Sequence, residues 1–114
     1  MHLLIAIIND PDKIADILDE FLDIGVKGAT VMDSVGMGHL LADHVPFFSR
    51  FAEFGADVAH NKTIFVVVRS SDRLKKVVDV IEQIVGDLDS PDTGLVFTLP
   101  IDFCKGLSKL ERDE

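Results

Sequence analysis

The residues of this chain best placed to do chemistry are glycines, lysines and a scatter of histidines and acids. "SVGMGHLL" (34–41) puts Gly36 and Gly38 just beyond a strand-like run, where a backbone can approach a ligand closely and cradle a phosphate. No lysine or arginine follows this Gly-x-Gly until Arg50, so a hinge for a longer segment is the competing reading. His39, Asp43, His44, Asp57 and His60 could be read as metal ligands, and His39 and Asp43 would share one helical face at i and i+4. No compact ligand spacing of the zinc kind accompanies them, so we expect polar loop residues and no metal. Cys104, between Phe103 and Lys105, is expected to be a buried structural thiol, and His2 merely a strand-start residue. The acids locate no convergent pair, so no catalytic residues are assigned and no enzyme is expected.

The elements that must position these groups follow from periodicity. "LLIAII" (3–8) is a continuous apolar run of the kind a central strand shows. Asp10 then offers an N-cap and Pro11 a first helical residue, and Ile14, Ile17, Leu18, Phe21 and Leu22 follow at helical spacing up to Gly25. "KGATVMDSV" (27–35) predicts a second strand and "TIFVVV" (63–68) a third. Ser70 or Ser71 caps a second helix whose stripe is Leu74, Val77, Val78, Ile81, Ile84 and Val85. A turn-rich loop, "DLDSPDT", leads to a fourth strand, "GLVFTLP" (94–100), and "IDFCKGLSKL" is read as a short terminal helix.

The order is βαββαβ, with right-handed crossovers setting both helices on one face. The expectation is therefore an α+β, ferredoxin-like sandwich: a four-stranded antiparallel sheet, two helices on one face and a long loop between strands two and three. Strands one and three should be central and the more polar strand two an edge. Leu3, Ile5 and Ile7 alternate with Leu4, Ala6 and Ile8, so both faces of strand one are apolar. The face without helices needs a cover, and oligomerisation supplies it.

Composition bounds the function. The chain has 114 residues, enough for a single domain over 1–114 with a 36–61 insertion and a 101–114 tail. Its charge is −9, from 11 basic and 20 acidic residues, which argues against nucleic acid and against anionic membrane surfaces. No apolar stretch reaches the ~18 residues of a membrane span, so no direct membrane insertion is expected. Met1-His2-Leu3 runs straight into a strand, and with a single cysteine the reading is a reducing cytoplasm.

Over "LLIAIINDPDKIADILDEFLDIGVKGATVMDSVGMG" (3–38), and again at "TIFVVV" and "GLVFTLPIDF", the chain resembles the PII family of nitrogen regulatory signal transducers. "GVKGATV" after the first helix and the Gly-x-Gly at 36 and 38 are particularly similar. The resemblance implies a homotrimer with the sheets at its centre. It also implies ATP or ADP in clefts between subunits, often with 2-oxoglutarate, and a loop between strands two and three that reaches a protein partner such as a transporter or enzyme. Thr30 matches the threonine on the adenine side, and Gly36 and Gly38 match the root of the loop. The family's glutamine beyond them falls on Leu40 and its strand-four lysine on Leu95, while its two phosphate-clamping arginines fall near Gly106 and Ser108. The family's glycine-rich phosphate loop is matched by "DLDSPDTG" (87–94), with three acids. A ligand is thus expected beside Thr30, Gly36, Gly38 and Gly94, with Lys62, Lys105 and Lys109 the nearest cations, and its identity is left open.

The 36–61 loop departs from the polar loop of the family. Phe47, Phe48, Phe51 and Phe54 follow Pro46 and gather along one side if the segment is helical, as extra core or as a surface that docks a partner. The family modifies a tyrosine or serine here; this chain has no tyrosine and only Ser49, so no modification is expected. The reading is a PII-like regulator whose loop conformers shift in population with ligand or partner. The alternatives are a non-nucleotide sensor of a small molecule, metal or bicarbonate-like solute, and a structural trimer without ligand.

Overall fold

A computed structural model describes residues 1–37 and 60–107. Four strands form one antiparallel sheet: β1 (His2–Ile8), β2 (Thr30–Val35), β3 (His60–Val68) and β4 (Gly94–Pro100), in the order β2-β3-β1-β4. Helix α1 (Ile14–Asp23) joins β1 to β2, and α2 (Ser71–Val85) joins β3 to β4. The two continuous apolar runs are the central strands and the more polar β2 is an edge. This is the ferredoxin-like α+β arrangement.

Local chemistry sets the element ends. The Asp10 carboxylate accepts the Asp12 N–H at 2.9 Å, and Pro11 opens a 3-10 turn (Pro11–Lys13) that feeds α1. Gly25, at φ +88°, supplies the left-handed residue that ends the helix. Ser70 caps α2 by accepting the Arg73 N–H at 3.2 Å. The helices cover one sheet face: Leu4, Ala6 and Ile8 of β1 and Ile64, Val66 and Val68 of β3 are fully buried with Ile17, Phe21, Val77 and Ile81.

Strand register fixes what lies on the other face. Thr30, Phe65, Ile5 and Phe97 form one row across the sheet, and Met32, Thr63, Ile7 and Leu95 form the next. Leu3, Val67 and Leu99 continue it. Met32, Leu95, Phe97 and Leu99 are exposed, at 40% or more of their full accessibility. Among the described residues no helix covers this face.

Some expectations need correction. β2 begins at Thr30 rather than residue 27, and β3 begins at His60 rather than residue 63, because Ser34 and Val35 find backbone partners in Asn61 and His60. The segment between the strands is therefore 36–59, shorter than the 36–61 expected. Residues 101–107 form no helix: Ile101 still donates its N–H to the Met1 carbonyl at 3.1 Å, and Gly106 sits at φ +100°. Cys104, expected inside, is exposed, since the chain has left the sheet there and no described element packs over it.

Candidate functional site

The residues singled out by sequence divide between the two edges of the sheet. Thr30 and Gly36 lie on the β2 edge, Thr30 exposed at the strand's start and Gly36 just past its end. Gly94 opens β4 on the opposite edge, and Lys105 follows in the exposed segment after that strand. With β3 and β1 between them, the two edges are about 14 Å apart at the usual strand spacing. One subunit therefore does not bring Thr30 to Gly94; a site that used both would need the β4 edge of a second copy. Gly38, Lys109, Phe47, Phe48, Phe51 and Phe54 lie outside the described residues, as do His39, Asp43, His44 and Asp57. Among the described residues no three His, Cys, Asp or Glu side chains gather closely enough to hold a metal.

On the β2 side the structure builds a clamp at the root of the 36–59 segment. Pairing continues to the last rung, Val35 opposite His60. One rung in, the Ser34 hydroxyl meets the Asn61 amide oxygen and lies 3.3 Å from the Asn61 carbonyl. It also shares a hydrogen bond of 2.8 Å with the Thr63 hydroxyl, the one buried polar side chain among the described residues. These side chains sit at the end of the helix-free face. Next to them, with side chains on the opposite face, Lys62 donates to the Asp33 carboxylate and pairs with it. The hydrogen bond and charge of Lys62 hold the Asp33 carboxyl below its usual value, with His60 adding slightly and burial opposing. Lys62, expected as a cation for a ligand, is thus held by an acid of its own subunit.

Gly94 has a geometric reason to be glycine. A Cβ there would stand 2.5 Å from the Ile7 carbonyl oxygen, so any side chain would push β4 off β1. The loop before it is closed by its own acceptors. Leu88 donates its N–H to the Glu82 carboxylate at 3.1 Å, and Asp89 donates to the Asp87 carboxylate at 2.9 Å. Ser90 donates to the Asp87 carbonyl at 3.0 Å, and the Thr93 hydroxyl donates to the Ser90 carbonyl at 3.0 Å. Asp87, Asp89 and Asp92 are all exposed, and Asp92 adopts φ +65°.

The Ser34–Asn61–Thr63 cluster and the loop's internal bonding are what sequence reasoning missed. Alternation along β2 and β3 could have set Ser34 and Thr63 on one face, but only the register shows them in contact. A shallow apolar groove of about 220 Å³ on the helical side, lined by Leu18, Phe21, Leu22, Val26, Lys27 and Ala29, includes none of the expected site residues.

No helix among the described residues is long and apolar enough to cross a membrane. No curated protein matches the chain. A family model does, over residues 1–109, and its description is nitrogen regulatory protein P-II. Proteins of that kind are regulatory signal transducers, and the matched residues take in the β2–β3 root and Gly94. This chain belongs to the nitrogen regulatory protein P-II family.

Proposed function

We propose that this chain is a single-domain, cytoplasmic regulator that assembles as a homotrimer and controls a partner protein, such as a transporter or enzyme, through residues 36–59. The observation that carries the reading is the clamped β2–β3 root. A long segment leaves and returns through two paired strands, tied by side chains on both sheet faces. Such a root holds the segment's two ends in register, and Phe47, Phe48, Phe51 and Phe54 within the segment are the apolar anchors for a partner. The trimer is supported by the helix-free face, where Met32, Leu95, Phe97 and Leu99 stay exposed in one copy. Ligand contacts from Thr30, Gly36, Gly38, Lys62, Gly94, Lys105 and Lys109 belong to the same reading, the β2 edge of one copy facing the β4 edge of the next.

The test replaces residues 39–58 with a short Gly-Ser linker. The trimer should persist in sedimentation equilibrium, while retention of the partner from cognate lysate is lost. A shortened chain that keeps its partner, or a native chain with the mass of one subunit, would refute the reading.

A further inference from the structure

The family resemblance implies a nucleotide polyphosphate held beside the loop that precedes β4, and the residues present do not fit one. A phosphate-binding loop works by aiming free backbone N–H groups, and usually a cation, at the anion. Here the N–H groups of Leu88, Asp89 and Ser90 are all taken by acceptors of the same subunit, two of them carboxylates. The next residue, Pro91, has no N–H to offer. Four consecutive positions therefore present no free backbone N–H, and the loop's surface carries Asp87, Asp89 and Asp92. The neighbouring β1–α1 corner, joined to the loop by Asn9 N–H donating to the Thr93 carbonyl at 3.4 Å, adds Asp10 and Asp12. No lysine or arginine occurs between Lys76 and Lys105. At the start of β4, Leu95 is 55% exposed, an apolar side chain on the helix-free face.

We propose that this loop excludes polyphosphate, so that the cleft beside β4 takes neither ATP nor ADP and the protein works independently of adenine nucleotides. The Glu82 carboxylate and the carboxylate and carbonyl of Asp87 occupy the backbone donors a phosphate would need, and the exposed acids repel it. A small molecule that enters this cleft is neutral or cationic. The inference deepens the proposed function, resting on its view that the ligand cleft lies between the β2 edge of one copy and the β4 edge of the next.

The experiment compares the native chain with a variant carrying Asp87→Gly, Asp89→Gly and Asp92→Gly. All three positions are exposed, and glycine accepts the positive φ of residue 92. ATP, ADP and adenosine are titrated by calorimetry with magnesium present, after circular dichroism and thermal melting establish that both proteins fold alike. The native chain should give no heat with ATP or ADP at millimolar concentration, and the variant should bind ATP at least about tenfold more tightly. Native binding of ATP in preference to adenosine overturns the proposal. Equal affinity of the two proteins for ATP, including no binding by either, overturns the part of the cause assigned to the three aspartates. Sedimentation of the same samples separates the two readings: a monomer refutes the trimer and its cleft together, whereas a trimer whose native form binds ATP in preference to adenosine refutes this inference alone.

Discussion

Replacing Phe97 with aspartate tests the proposed trimer at the sheet face that no described helix covers. Phe97 lies on β4 in the row with Ile5, Phe65 and Thr30, on the face that no described helix covers, and it is 40% exposed in one copy. A phenylalanine has roughly 200 Å² to bury, so about 80 Å² remains for a neighbour to cover. At ~25 cal/mol per Å², that is about 2 kcal/mol per subunit, or about 6 kcal/mol over a trimer. An aspartate in its place loses this term and adds three charges to an apolar contact, each costing several kcal/mol unless paired. Every 1.4 kcal/mol is a tenfold change in an equilibrium constant, so the trimer's association constant should fall by at least about four orders of magnitude. Sedimentation equilibrium across a concentration series reads the effect directly. Leu22→Asp is the matched control: Leu22 is more exposed, at 58%, but it lies on α1, on the helical side of the sheet. The reasoning is refuted if Phe97→Asp remains a trimer, or if Leu22→Asp dissociates to the same extent.

Three further outcomes are expected. Gly94→Ala sets a Cβ 2.5 Å from the Ile7 carbonyl and should cost about 1–3 kcal/mol, read as a lowered denaturant midpoint with an unchanged slope. Ser34→Ala removes the hydroxyl that joins Asn61 to Thr63 and leaves a buried hydroxyl one partner short; it should cost about 1 kcal/mol and speed amide exchange at Val35 and His60. The Asp33 carboxyl is held below its usual value of 3.8 by Lys62, so the pair's contribution is fully present above the unfolded-state value and fades as pH falls through the lowered one. In Lys62→Gln, the Asp33 titration followed by carboxyl NMR should move up towards the usual value; an unmoved titration would show that Lys62 is not its cause.

Much of the fold was legible because it rests on two periodicities. Runs at a spacing of 3.6 gave both helices, and the continuous runs at 3–8 and 63–68 marked the central strands. Right-handed crossovers set both helices on one face, and Leu3, Ile5 and Ile7 alternating with Leu4, Ala6 and Ile8 mark the other face as apolar too. The unread parts depend on distances that a local pattern does not carry. Ser34 and Asn61 are 27 positions apart, and only the pairing of β2 with β3 brings them within reach. Whether the amides of 88–90 point outward or into the loop depends on where Glu82 and Asp87 place their oxygens, which composition does not determine. Cys104 was misread for a related reason: apolar neighbours such as Phe103 signal burial only where another element packs over them, and Phe103 is itself 80% exposed.

The two sides of the loop root differ in a way that bears on how a signal would travel. On the helical face the root is closed by the Asp33–Lys62 pair, with Asp33 largely in solvent, and an exposed ion pair contributes little to stability. On the other face, Ser34 and Asn61 lead through Thr63 to Met32 and Ile7, which belong to the apolar surface that the proposed trimer would bury. A partner that shifted residues 36–59 would disturb the last rung, Val35 opposite His60, and then whichever side resists more. On these contacts the exposed ion pair should yield before the hydroxyl network, which is tied to the face the proposed trimer buries. Coupling between loop and trimer should therefore run through Ser34 and Thr63 and largely bypass the core beneath the helices.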